Sequence, residues 1–208
     1  MIDQATLFTY VAILFGFVLI PGPAVIFTLA QASRSGTKVG VSTGFGIAAG
    51  DLVHTAMAVF GLSAIIQTSA LAFTIVKIVG ATYLLYLGIK AMFTKVETIE
   101  LAGGKAVTAK QAFRQGAIAE ITNPKTAMFF LAFLPQFVKP ENGSAALQLT
   151  TLGVLFVLIG MGSTLLVAFS AGAMSRFLQR NQFVMRWQGK VVGCIYCALG
   201  VRLAFQEK

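Results

Sequence analysis

Four charged side chains stand in otherwise apolar stretches of this sequence: Asp51, Lys77, Glu120 and Lys125. Placing Asp or Lys at the centre of a membrane helix costs about 2.5 to 3.5 kcal/mol, so such groups should face one another or water rather than lipid. That makes them candidates for binding a charged ligand or carrying a proton. His54 follows Asp51 by three residues, on the same helical face. The two form a candidate proton-passing pair, with simple packing as the competing role for a single histidine. Glu120 precedes Lys125 by five residues. Lys77 falls near an interface, where its apolar stem lets the ammonium reach polar surroundings. One histidine without neighbouring thiolates points away from a metal site, and no cofactor is expected.

The second chemical feature is proline at depth. Pro21, Pro23 and Pro124 fall inside apolar runs, where proline removes a donor and clashes with the preceding turn. Gly22 precedes Pro23 and Asn123 precedes Pro124, the order of a cap followed by a first helical residue. Each helix should therefore restart near the midplane. The N–H groups of Ala24 and Val25, and of Lys125 and Thr126, would then be free to meet a carboxylate at the positive end of a half-helix dipole. A kink with no ligand is the alternative.

The elements that must carry these groups follow from composition. Of 208 residues, 57% are apolar and 11% are charged, against roughly 25% charged in a soluble domain. The apolar share, about 119 residues of the 208, matches six spans of about 20 residues each. Helices are expected at about 6 to 32, 39 to 66, 70 to 93, 109 to 138, 146 to 173 and 187 to 205. Two cysteines exclude a disulfide-stapled secreted fold. Asp3 and a long uncharged run argue against a cleaved signal peptide.

The net charge of +9 invites a nucleic-acid reading, but the basic residues are not spread as that would require. Arg34 and Lys38, then Lys90, Lys95, Lys105, Lys110 and Arg114, then Arg176, Arg180, Arg186 and Lys190 cluster at alternate connections, eleven of the sixteen. These connections should be cytoplasmic, no nucleic acid is expected, and both termini should lie outside. Lys139 is balanced by Glu141 on the opposite side, and Trp187 is placed as an interfacial anchor.

Comparing the halves reveals a repeat. Lys77-Ile-Val-Gly80-Ala-Thr-Tyr83 matches Lys190-Val-Val-Gly193-Cys-Ile-Tyr196, and Ile20-Pro21-Gly22-Pro23 lies over Ile121-Thr122-Asn123-Pro124. Three helices per copy is an odd number, so the second copy enters from the opposite side, an arrangement common in secondary transporters. The expected fold is an all-α membrane protein of six spans in one domain, 1–208. It divides into a first repeat at 1–93, a basic cytoplasmic loop at 94–108 and a second repeat at 109–208. Gly36, Gly40, Gly44, Gly46 and Gly50 have the spacing that lets helices approach closely. Such spacing suits intramolecular packing and a homodimer equally well. Cys194 and Cys197 form a C-x-x-C whose expected role in a helix is packing.

Together, Leu19-Ile-Pro-Gly-Pro-Ala24, the glycine-rich entry to Gly50-Asp51, Lys77-x2-Gly80-Ala-x-Tyr83 with Leu87-Gly88, and Asn123-Pro-Lys-x3-Phe129-Phe130 resemble the LysE/RhtB family of amino-acid exporters nearly end to end. The resemblance implies a bacterial inner-membrane translocator that expels amino acids or close derivatives on an ion gradient, the proton being the expected ion, among membrane lipid. It does not choose among homoserine, threonine, leucine, lysine, arginine and cysteine-pathway compounds.

The reading of the residues places a substrate carboxylate at Pro21, Gly22, Pro23 and Ala24 and at Asn123, Pro124, Lys125 and Thr126. Asp51, His54 and Glu120 then serve the ammonium or the coupling proton. Two other classes compete. A membrane thiol-disulfide electron carrier would need a cysteine in each repeat, whereas both lie in one helix. The third class is an exporter of a metal or an inorganic anion, and the absence of clustered His, Cys and Asp argues against the metal version.

Overall fold

Asp3 begins the first helix by capping it: Thr6 donates its backbone N–H to Asp3 Oδ1 at 2.9 Å and its hydroxyl to Oδ2 at 2.8 Å. The computed structural model describes residues 2–19, 22–68, 70–93, 105–180 and 182–205, and every regular element among them is helical. Helix α1 (Gln4–Leu19) is followed by α2 (Pro23–Ser35), which starts on Gly22 and Pro23 and is bent 50° from α1. Gly36, at φ 89°, turns the chain into α3 (Thr37–Met57). A π-helical turn (Ala58–Leu62) links α3 to α4 (Ser63–Thr68), and α5 is Ala70–Phe93. Thr108 and Gln111 form a reciprocal capping box at the start of α6 (Ala109–Ile121). After α7 (Pro124–Met128) come a π-helical turn (Phe129–Phe133) and two 3₁₀ turns, Leu134–Phe137 and Pro140–Asn142. Helices α8 (Ala145–Arg180) and α9 (Gln182–Phe205) complete the chain.

Three expectations about helix extents are corrected. The stretch 109 to 138 is divided into α6, α7 and two tighter or wider turns, because Pro135 as well as Pro124 removes a donor from any continuous helix. Helix α8 runs to Arg180 instead of ending near 173, and α9 begins at Gln182 instead of 187. No proline or glycine lies between 173 and 187 to stop either one. Arg34, Lys38, Lys90, Lys110, Arg114, Arg176, Arg180, Arg186 and Lys190 consequently sit on helices, not on loops.

Among the described residues, Thr37–Ile66, Thr74–Phe93 and Ala145–Phe177 are each long and apolar enough to cross a bilayer. Counting the bent pair α1 and α2 as one span makes four, and Gly189–Val201 is a shorter apolar helix.

Helix α3 packs along α2, α6 and α8, while α5 packs along α9. Missing side chains permit both contacts. A Cβ on Gly46 would lie 2.1 Å from the Phe113 carbonyl oxygen, and one on Gly116 would lie 2.6 Å from that of Thr43. On the other pair, a Cβ on Gly88 would lie 2.5 Å from Cys197 Sγ. An aromatic core gathers Tyr10, Phe17, Phe129, Phe130, Phe133, Phe137 and Phe156 with Tyr196. The Tyr10 hydroxyl satisfies itself there by donating to the Leu152 carbonyl at 2.9 Å.

Candidate functional site

The close approach of α3 to α6 sets the site. A Cβ on Gly50 would lie 2.7 Å from Glu120 Cβ, so the absence of one lets the Glu120 side chain lie against the backbone just before Asp51. Both carboxyls are buried, Asp51 at 2% exposure, and they lie within electrostatic reach of each other. Their surroundings differ. Glu120 Oε1 accepts from Asn123 Nδ2 at 3.1 Å and from the Thr126 hydroxyl, and Oε2 accepts from Asn123 Nδ2 at 3.3 Å. Among the described residues Asp51 Oδ1 has no hydrogen-bond partner, and the Asp51 carboxyl otherwise meets that of Glu120.

Lys125 enters from α7. Its ammonium lies 4.0 Å from the Phe17 ring centroid and 5.7 Å from that of Tyr196, and donates to the Phe17 carbonyl at 3.4 Å. That carbonyl belongs to the last turn of α1, where helical carbonyls lack intrahelical donors and carry the negative end of the dipole. Among the described residues no salt bridge joins Lys125 to Asp51 or Glu120.

A cavity of about 60 Å³ opens among these groups. Gly22, Pro23, Ala24, Asp51, Glu120, Asn123, Lys125 and Thr126 line it, together with Phe17, Val18, Val25, Ile47, Phe156, Gly160, Ser163 and Thr164. Of the expected site residues, Pro21 lies outside the described residues. Pro124 opens α7 but does not line the cavity. His54 stands behind Glu120: its Nε2–H donates to the Glu120 carbonyl at 2.9 Å and its ring stacks 5.8 Å from that of Phe130.

One expectation about the backbone is corrected. The Lys125 N–H is not free, because Asn123 Oδ1 accepts it at 3.0 Å as an N cap does. Gly22 has no side chain to do the same, and α2 begins without a side-chain cap. The two helix starts are therefore unequal: a side chain caps the α7 start at Lys125, and none caps α2.

Sequence reasoning missed Phe17, Tyr196 and the whole contribution of α8. Gly160, Ser163 and Thr164 form a small and polar patch in an otherwise apolar helix, a signal that was there to be read. Nothing local marks Phe17 as the seat of a lysine 108 residues away.

The family model of the LysE type translocator matches residues 15–207, nearly the whole chain. The chain belongs to the LysE type translocator family. Among proteins similar to this translocator, an uncharacterized membrane protein of Bacillus subtilis is 29% identical over 206 residues, covering 95% of this chain and 97% of that protein. The leucine efflux protein of an Enterobacter species is 29% identical over 197 residues, covering 94% of this chain and 93% of its own. That of Salmonella typhimurium is 25% identical over the same shares. No solved structure matches.

In this translocator the cysteines stand apart from the cavity: Cys194 is exposed, and Cys197 packs against Gly88 and Leu85. No group of three or more His, Cys, Asp or Glu is arranged to hold a metal among the described residues.

Proposed function

We propose that this translocator exports an amino acid with an apolar side chain from the cytoplasm, the zwitterion binding between Asp51 and Lys125. The observation that carries the proposal is a buried acid and a half-buried lysine facing one cavity with no salt bridge between them: Asp51 Oδ1 lacks a partner, and Lys125 rests on π faces and a carbonyl. Buried charges of opposite sign normally pair or find hydrogen bonds. A zwitterion supplies what each lacks. Its carboxylate meets Lys125 and the uncapped N–H groups of Ala24 and Val25, and its ammonium meets Asp51. Phe17, Val18, Val25, Ile47 and Phe156 offer the side chain an apolar wall. The leucine efflux proteins among the relatives agree with that choice.

In this reading the chain is one six-span domain in the bacterial inner membrane, built as inverted repeats at 1–93 and 109–208, with the basic segment 94–108 cytoplasmic and both termini outside. The repeats rock about the site to give alternating access. Coupling is by proton antiport. Glu120, held by Asn123 and Thr126, fixes the site, and Asp51 exchanges the substrate ammonium for a proton. His54 holds the Glu120 backbone and does not carry the proton.

The test is to load cells with dipeptides that each release one amino acid inside and to compare efflux with and without the protein. Faster efflux of leucine or a similar amino acid is expected. No acceleration for any amino acid would end the reading. A reporter inserted between Lys95 and Lys110 should read cytoplasmic, and an external reading would reverse the orientation.

A further inference from the structure

Polar groups without partners occur at a second place on the same path. At the far end of α2, Gln31 is buried at 4% exposure, and its Nε2 donates to Gln115 Oε1 at 2.9 Å while its own Oε1 has no partner. Either orientation of the amide leaves one of its polar atoms facing away from Gln115. One turn on, the Nε of Arg34 is buried and equally unpartnered. Both side chains, with Gln115, line a concavity of about 460 Å³ between α2 and α6. This concavity shares Phe27 and Ala119 with a second, and the second shares Ala24, Glu120 and Asn123 with the cavity at Asp51 and Lys125. The three adjoin in a line down α2. At about 1.5 Å per residue, Pro23 and Arg34 lie roughly 16 Å apart along that helix.

An unsatisfied buried guanidinium donor calls for an anion, and an unsatisfied buried amide oxygen calls for a donor such as an ammonium. We propose that Gln31, Arg34 and Gln115 form a second, shallower site that takes the carboxylate and ammonium of an α-amino acid before it reaches Asp51 and Lys125. The inference rests on the exporter reading, deepening it with a loading step at the cytoplasmic end. Arg34 binds the carboxylate and Gln31 the ammonium, while Phe27 and Ile118 offer apolar surface to the side chain. A phospholipid head group with phosphate and ammonium carries the same two charges. The burial of Gln31 and the run of the groove inward toward Glu120 favour the free amino acid.

Efflux is measured against internal concentration for the amino acid that the wild-type chain exports fastest from a panel of loaded dipeptides. Gln31→Leu removes the amide at similar volume, and Arg34→Lys keeps the charge that orients the helix while removing Nε–H. Each should raise the half-saturating internal concentration roughly tenfold, the effect of losing a hydrogen bond to a charged group, with the maximal rate retained. If either protein fails to accumulate, Gln115→Leu tests the same site from α6. Unchanged half-saturation in these variants would overturn the inference and leave the exporter reading standing. Loss of the site's effect in vesicles of phosphatidylglycerol, with its return on adding phosphatidylethanolamine, would assign the groups to lipid and overturn it as well. No export by the wild-type chain would overturn both.

Discussion

Phe17 holds Lys125 twice, once by its ring at 4.0 Å from the ammonium and once by its carbonyl at 3.4 Å. A cation is thereby kept at the end of a helix and away from both nearby carboxylates. Replacing Lys125 with Met keeps most of the stem in contact with the ring and removes the charge. Export should fall roughly tenfold or more, since a hydrogen bond to a charged group is lost at a desolvated site, while membrane expression stays near wild type. Efflux of a loaded amino acid is the measurement, and wild-type rates would remove Lys125 from the mechanism.

Asp51 and Glu120 should separate in their responses. Asp51→Asn loses no hydrogen bond at Oδ1 and keeps an amide donor to face Glu120, so folding should not suffer, whereas export should drop by at least the factor expected for Lys125. Glu120→Gln places an NH₂ where an oxygen accepts from Asn123 or Thr126. Leaving buried donors opposed costs about 1 to 3 kcal/mol, and the purified protein should lose thermal stability. Unfolding and efflux measured on the same preparations distinguish the two. Equal destabilisation by both variants would contradict the assignment of Asp51 as the open group.

These contrasts explain what the sequence could disclose. That the chain is helical, apolar and sparsely charged, and that its motifs match a translocator family, was legible because composition and short motifs are local properties. Asn123 before Pro124 was legible as a capping pair, but the consequence drawn from it was reversed: the cap occupies the Lys125 N–H instead of leaving it free. Basic residues read as loops because charge is expected to mark the bilayer edge, whereas helices α2, α3, α5, α6, α8 and α9 carry nine of them. The Phe17 and Lys125 contact depends on residues 108 apart in the chain. No periodicity encodes such a contact.

Glycine supplies a test of the helix contacts that hold the site. Gly46→Ala would put a Cβ 2.1 Å from the Phe113 carbonyl oxygen, a backbone atom that cannot step aside. Overpacking of this kind costs about 1 to 3 kcal/mol, and here it also pushes α6, with Glu120, away from α3. Gly162→Ala has nothing within 4 Å of the added carbon. It should be neutral or slightly stabilising by about 0.5 to 1 kcal/mol, from reduced backbone entropy. Thermal unfolding in detergent reads both, and a tolerated Gly46→Ala would argue against the α3 and α6 contact.

The opposite end of the molecule is joined by Lys139 Nζ and Asp3 Oδ2 at 2.8 Å. Lys139 and the Thr6 donors hold the Asp3 carboxyl below the usual carboxylate range, and Asp3 in turn raises the Lys139 ammonium. With a depressed carboxyl, the link is present above the ordinary Asp value and is lost only as pH falls below it. With a raised ammonium, it persists until pH climbs past the ordinary Lys value. Neutral pH therefore finds it fully formed, and changes in transport between pH 5 and about 9 must originate elsewhere. This contact ties α1 to the turn before α8, so the proposed alternating access predicts that it opens during transport. Carbodiimide, which joins adjacent carboxyl and amine groups without a spacer, should form an Asp3–Lys139 amide visible by mass spectrometry and should slow export. Asp3→Asn should abolish both the crosslink and that inhibition, and full export by the crosslinked protein would show that this end does not move.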